Sequence, residues 1–183
     1  MQLALRPASA TDAEYVARIY VSSWNAGFGL RMPRIEADAA RTERWRRTLA
    51  TARLPERWWV AERGGECVGF AGVCPSRDPV DPQLGEIDTI AVEPAAWRSG
   101  VGRALLEAAV RALADHGYAQ AILWTLADYP LGERFYRAAG FLPNGRIRRE
   151  GSQRQYARAL SAGSDQEWVR PPSREAKDGP SGA

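Results

Sequence analysis

The order of elements legible in this chain predicts an α+β fold, with a mixed, mostly antiparallel central sheet of about six to seven strands flanked by helices. Three observations carry this expectation. A short apolar segment at the start is followed by two stretches of helical apolar spacing. A meander of strand-like segments comes next, broken by Gly64-Gly65 and by a Pro- and Asp-rich loop. A strand–helix–strand unit then runs from Glu86 to Leu126, and its two strands must pair in parallel through a right-handed crossover.

Taken in order, Leu3 to Arg6 reads as the first strand. Thr11-Asp12-Ala13-Glu14 has the form of a capping box, in which each side chain satisfies an orphan backbone N–H. Val16, Ile19 and Tyr20 follow at helical spacing, and the Gly-rich segment Asn25 to Pro33 breaks the period. Glu36 to Thr51, charged and Ala-rich, is expected as a second helix with Trp45 and Leu49 on one face. Arg57 to Glu62 and Cys67 to Val73 form a hairpin about Gly64-Gly65. The adjacent Trp58 and Trp59 then point to opposite faces of the sheet.

The loop Cys74 to Gln83 leads into a β-branched strand, Glu86 to Val92, stopped by Pro94. Val101, Leu105, Ala109, Val110 and Leu113 hold the 3.6 period of the next helix, with Gly117 at its C-terminal cap. Ala121 to Leu126 is a strand, Leu131 to Ala139 a short helix closed by Gly140, and Arg154 to Leu160 a last strand. Residues 161–183 are small, polar and Pro-rich and lack apolar mass to bury, so a disordered tail is expected there. One domain, 1–160, precedes it, and no internal repeat is present.

Composition narrows the function classes. The chain has 183 residues, 45% hydrophobic and 26% charged, with a formal net charge of +3. That mild excess suits an anionic small ligand and weak nucleic-acid contact alike and decides neither; nucleic acid ranks last as a partner because no recognition motif is present. Two cysteines, Cys67 and Cys74, and one histidine, His116, match no zinc spacing, so no metal is expected. No apolar run approaches the ~18 residues of a membrane span, and nothing at the N-terminus reads as a signal peptide. The expectation is a cytoplasmic protein with reduced thiols.

The stretch VEPAAWRSGVGRALL, residues 92–106, bears most directly on function. Gly100 and Gly102 strip side chains from the backbone just where a helix begins. The first N–H groups of that helix have no internal partner, and its dipole adds about half a positive charge. This is a place for phosphate or pyrophosphate. A P-loop is excluded, since no Gly-Lys-Ser/Thr follows. A dinucleotide fingerprint fits poorly, because Leu105 stands where a third Gly is needed. Coenzyme A pyrophosphate and a ligand-free helix start with two turn glycines both remain.

AVEPAAWRSGVGRALL resembles the acyl-CoA signature of the GNAT superfamily of N-acetyltransferases, Gln/Arg-x-x-Gly-x-Gly/Ala after a strand ending in Val-x-Pro. GERFYRAAGF, residues 132–141, resembles that family's second block, in which a helix carries Phe-Tyr and ends in Gly-Phe. The two blocks stand in the family order, and the likeness covers roughly residues 3 to 160.

The resemblance implies acetyl-CoA as co-substrate and a sheet splayed at the strand 86–92. Backbone groups of Ile90, Ala91 and Val92 would pair with the pantetheine arm, and the Val92 N–H would polarise the thioester carbonyl. The N–H groups of Arg98, Ser99, Gly100, Val101, Gly102 and Arg103 would hold the pyrophosphate. Tyr136 would donate a proton to the leaving thiolate. Glu86 matches the strand glutamate that serves as general base in some members, often through water. Asp88, two residues on, shares its strand face and would bind a cationic substrate or replace Glu86. Trp24 and Phe28 fall in the segment that forms the acceptor side.

The chain departs from the pattern at Trp97, where the signature has Gln or Arg. It departs also at Tyr129, where an Asn often faces the cofactor, and at Gly132, where Ala is usual. The implied function is transfer of an acetyl group to a primary amine, of a small molecule or a peptide, by direct attack in a ternary complex. The alternative is a catalytically weak acyl-CoA-binding sensor. Family members are often dimers, so the resemblance allows a homodimer.

Overall fold

The computed structural model describes residues 2–160; the expected tail, 161–183, lies outside the described residues. The elements are β1 (Leu3–Pro7), α1 (Ala13–Phe28), α2 (Ala39–Thr51), β2 (Arg57–Arg63), β3 (Glu66–Pro75), β4 (Leu84–Val92), α3 (Val101–Asp115), β5 (Gln120–Leu126), α4 (Pro130–Ala138), β6 (Leu142–Arg148) and β7 (Gln153–Ala159). They form one seven-stranded sheet in the order β1-β2-β3-β4-β5-β7-β6. Every neighbour pair is antiparallel except β4 and β5, the two strands joined through α3.

Strand alternation sends side chains to two faces, each covered by helices. Trp58, Val60 and Phe70 meet Val16 and Ile19 of α1 and Leu49 of α2 on one face. Ala61, Ala71 and Val92 meet Val101 and Leu105 of α3 on the other, and Val73, Ile87 and Leu123 meet Leu106, Ala109 and Leu113. The paired tryptophans divide as expected: Trp58 packs with α1 and α2, Trp59 on the α3 face.

Three local expectations change. The box at the start of α1 uses Ser9 and Asp12, not Thr11 and Glu14. Asp12 accepts the Ser9 N–H at 2.8 Å and both terminal nitrogens of Arg6, at 2.9 and 2.7 Å, while Glu14 is exposed. A carboxylate that caps and also pairs with an arginine outcompetes one that only caps. Second, α1 does not break at Asn25 but continues through Phe28. The Trp24–Phe28 ring pair, 5.1 Å apart at i,i+4 spacing, stabilises the extra turn. Third, β6 was not foreseen. Pro143-Asn144-Gly145 has turn composition, yet it sits in an edge strand whose register on β7 breaks between Pro143 and Ile147, and edges tolerate such residues.

One feature of the sheet positions the candidate site. β4 and β5 pair only at Leu84–Gln120, Gly85–Ala121 and Glu86–Ile122. Beyond Glu86, β4 stays on β3 as far as Val92 and β5 stays on β7 as far as Leu126. The two strands part, and a wedge opens between them. Within β4, Gly72 and Val73 of β3 face Thr89 and Ile87, which leaves Asp88 as the extra residue of a β-bulge beside the point of divergence.

Candidate active site

The hydrogen-bond alternation of an antiparallel ladder decides which backbone groups face the wedge. Glu93 donates its N–H to the Val68 carbonyl at 2.9 Å, so those two residues form a hydrogen-bonded pair. Alternation then makes Val92–Gly69 and Ile90–Ala71 non-hydrogen-bonded pairs. The N–H and C=O of Ile90 and Val92 therefore point away from β3, toward the gap that β5 has vacated. Ala91, between them, spends its peptide groups on β3. One of the four cleft-facing groups is taken: the Trp97 indole N–H donates to the Val92 carbonyl at 2.7 Å.

The wedge holds a cavity of about 490 Å³. Of the residues singled out from sequence, Phe28, Ile90, Ala91, Val92, Trp97, Arg98, Gly102, Tyr129, Gly132 and Tyr136 line it. Ser99, Gly100, Val101 and Arg103 do not, although they form the turn and first residues of α3 at its rim. Val101 is fully buried in the core. Arg103 turns along the helix to Glu107 at 2.7 Å. Ser99 is held from β2, where Arg63 donates to its hydroxyl at 2.9 Å and to its carbonyl at 3.0 Å. Gly100 adopts φ 90°, a left-handed conformation that turns the chain into the helix. What these residues offer a ligand is main chain at a helix N-terminus, the chemistry that suits an anion.

Tyr136 stands in α4 with its ring against Phe135, Phe141 and Tyr156, at centroid distances of 5.2, 6.4 and 6.2 Å. Its hydroxyl has no hydrogen-bond partner among the described residues. Burial pushes the Tyr136 phenol well above the usual tyrosine range, and the neighbouring Tyr129 adds to the shift. A phenol so placed keeps its proton through the neutral and mildly alkaline range and is a hydrogen-bond donor to negative charge that forms beside it.

The two departures near α4 prove to be one feature. The Tyr129 ring lies over Gly132, where a Cβ would come within 2.3 Å of it, and its hydroxyl reaches Gly27 of α1, 3.0 Å from where a Cβ would stand. Phe28 meets the same ring edge-on at 4.6 Å. A tyrosine fits at this position because both flanking helices carry glycine where they face it. Burial raises the Tyr129 phenol as well.

Glu86, Asp88 and Trp24 stand apart from the cavity lining. Glu86 is buried where β4 still pairs with β5. It accepts the Arg77 backbone N–H at 3.2 Å, and the Arg77 guanidinium lies 3.8 Å from its other oxygen. The same guanidinium pairs with Asp88. The two carboxylates do share a side, across the bulge, and Arg77 of the β3–β4 loop covers both. Trp24 donates its indole N–H to the Pro33 carbonyl at 3.1 Å and stacks between Tyr20 and Phe28. It supports Phe28, and Phe28 reaches the cleft.

Sequence reasoning missed Ser23, Thr125, Leu131, Arg134 and Phe135 among the lining residues. Phe135 stood in the quoted Phe-Tyr block and was findable there. Ser23 and Thr125 carry no local signal. Among the described residues no group of His, Cys, Asp and Glu could hold a metal ion, and no helix is long and apolar enough to cross a membrane. Cys67 and Cys74 are free and buried, and burial pushes the Cys74 thiol up to about 11.

Comparison with known proteins agrees with this geometry. A mycothiol acetyltransferase of Sanguibacter keddieii is 36% identical over 102 residues, which cover 51% of this chain and 32% of that protein. The chain thus spans about a third of the length of such relatives. Two solved structures share the fold. A GCN5-related N-acetyltransferase from Kribbella flavida has a TM-score of 0.70 at 18% identity, covering 86% of this chain and 98% of that one. The PaiA N-acetyltransferase from Thermoplasma acidophilum in complex with coenzyme A has a TM-score of 0.67 at 17% identity, covering 87% and 100%. The model of the acetyltransferase (GNAT) family matches residues 14–141. With the splayed sheet and the glycine turn at its rim, that match makes the chain a member of the GNAT acetyltransferase family.

Proposed function

We propose that this family member is an acyltransferase that moves an acetyl group from acetyl-CoA to a primary amine, by direct attack with both substrates bound. The observation that carries the reading is the pair of cleft-facing peptide units at Ile90 and Val92, which no strand satisfies once β5 has diverged. Buried backbone groups require partners, and the amide-bearing pantetheine arm supplies them as an added strand would. The N–H groups of Arg98, Ser99, Gly100, Val101, Gly102 and Arg103 then hold the pyrophosphate at the start of α3. Tyr129, Phe28 and the other apolar walls exclude water from the arm.

The amine nitrogen forms a bond to the thioester carbonyl carbon while the carbon–sulfur bond breaks and its electron pair leaves on sulfur. Tyr136 gives the sulfur its proton. The Val92 N–H, with no competing acceptor beside it, stabilises the charge that builds on the carbonyl oxygen. The proton lost by the amine passes through water, with Glu86 or Asp88 as its acceptor once Arg77 has moved aside. A small-molecule amine and a peptide amine both fit this chemistry.

The test combines calorimetric titration with coenzyme A and thiol release from acetyl-CoA across a panel of small and peptide amines. Binding together with amine-dependent thiol release supports the reading. Binding without turnover on any amine favours an acyl-CoA sensor, and no binding removes the assignment of the cleft.

A further inference from the structure

We infer that Trp97 is a positioning residue for the cofactor arm: its indole N–H holds the Val92 carbonyl, so that β4 presents the arm with a donor at Val92 and no acceptor. The inference rests on the acyl-CoA reading above. Ladder alternation turns both polar groups of Val92 toward the gap, and Val92 itself is buried. A carbonyl left open there would lose its water to an arm lying alongside and, wherever it met a carbonyl of that arm instead of an N–H, would stand unsatisfied in an apolar wedge. The Trp97 contact, at 2.7 Å, occupies it before any ligand arrives.

The chain is shaped to make this bond. The short turn Pro94–Ala96 reverses direction after β4, with Ala96 donating to the Glu93 carbonyl at 2.8 Å and Trp97 to that of Pro94 at 3.2 Å. That reversal carries the indole back over the strand it has just left. Two other ties hold the same loop. Glu93 accepts from Arg18 at 2.6 Å and Ser22 at 2.7 Å, both on α1, and Ser99 is gripped by Arg63. Those two act on the outside of the loop. The Trp97 bond alone among the three ends on an atom that faces the cleft. The indole ring also packs against the cluster of Val92, Val101 and Leu105, so a packing role must be separated from the donor role.

Two variants separate them. Trp97→Phe keeps an aromatic ring and removes the N–H; Trp97→Gln keeps an N–H donor and removes the ring. Each is measured in the full chain by calorimetric Kd for coenzyme A, by KM and kcat with acetyl-CoA, and by thermal melting. Trp97→Phe is expected to weaken coenzyme A binding about tenfold, the effect of leaving one acceptor open once the arm displaces the water that covers it in the free protein. Its melting temperature stays near the parent's, and its KM for acetyl-CoA rises more than its kcat falls. Trp97→Gln melts lower but binds within about threefold of the parent, because a donor remains.

The order of the two variants thus crosses between affinity and stability. A packing role cannot produce that crossing, since Phe would then outrank Gln on both. A Trp97→Phe protein with the parent's Kd overturns the positioning role, as does a folded Trp97→Gln protein that binds no better than Trp97→Phe. The Phe variant decides alone should the Gln variant not fold. No coenzyme A binding by the unaltered chain removes the acyl-CoA reading, and the inference with it.

Discussion

Gly132→Ala tests whether the unusual tyrosine at 129 and its flanking glycines form one structural unit. The new Cβ would stand 2.3 Å from the Tyr129 Cδ1 and 2.6 Å from its Cε1. Carbon atoms in contact prefer about 3.5–4.0 Å, so the ring must retreat by more than about 1 Å. Its retreat is obstructed on the far side, where the hydroxyl already lies 3.0 Å from the Cβ position of Gly27 and Phe28 packs edge-on at 4.6 Å. Overpacking of this kind costs about 1–3 kcal/mol. Against that, alanine in place of glycine within a helix returns up to about 1 kcal/mol. The net expectation is a loss of about 1–2 kcal/mol, a fall in melting temperature of about 2–8 °C for a chain of this size.

Tyr129→Asn removes the ring and with it the clash. In the Tyr129→Asn background Gly132→Ala should therefore be neutral or stabilising, which gives a coupling of about 1–3 kcal/mol in the double-mutant cycle. Thermal melting of the four proteins measures it. If Gly132→Ala has the same effect on stability with tyrosine or asparagine at 129, the steric account of this pair is wrong.

The remaining expectations concern the cofactor turn, the proton donor and the first helix. Gly100→Val forces a β-branched residue into φ 90°, costing about 1–2 kcal/mol for the left-handed backbone, and should abolish coenzyme A binding with the circular dichroism spectrum retained; unchanged calorimetric affinity would show that the pyrophosphate lies elsewhere. Tyr136→Phe should lower kcat by at least about a hundredfold while the KM for acetyl-CoA moves less, because a proton donor acts in the transition state. Since burial raises the Tyr136 phenol, the parent's pH profile should show no loss of activity from tyrosine ionisation near the ordinary value, about 10; an alkaline limb there that disappears in Tyr136→Phe would contradict the raised value. Asp12 is held below the usual carboxylate range, chiefly by its hydrogen bond from Arg6. A depressed folded value contributes stability above the unfolded value that is lost as pH falls through the folded one. Asp12→Asn should therefore cost about 2 kcal/mol at neutral pH, and urea titrations should show parent and variant converging in acid.

How much of this was readable beforehand depends on the range over which each feature is determined. The periods of α1, α3 and β4, the hairpin at Gly64-Gly65 and the glycine turn before Val101 are properties of neighbouring residues, and the chain displays them directly. The block around Gly100 pointed to an anion site because its backbone chemistry is local too, and the block around Tyr136 pointed to the cleft through its likeness to a known family. The edge strand β6 hid behind Pro143, Asn144 and Gly145, whose composition says turn; only pairing with β7 makes it a strand. Asp12 was passed over as a cap because nothing near it announces Arg6 on the neighbouring strand. Glu86 and Asp88 lie two residues apart across a bulge, and the Arg77 that covers both arrives from a loop, which no local pattern announces.

Residue types and their spacing thus determined the class of fold and the helix start that suits an anion; the tyrosine came only from the likeness of residues 132–141 to a known family. The opening of the sheet belongs to tertiary structure alone. β4 and β5 are each regular strands to their ends, each satisfied by its other neighbour. Their separation after Glu86 is a pairing that does not occur, and local pattern encodes only the ability to pair, never the choice of partner. The filling of the cleft by Tyr129 follows the same logic. Its fit depends on Gly27 and Gly132, on helices brought together only when the sheet between them has formed.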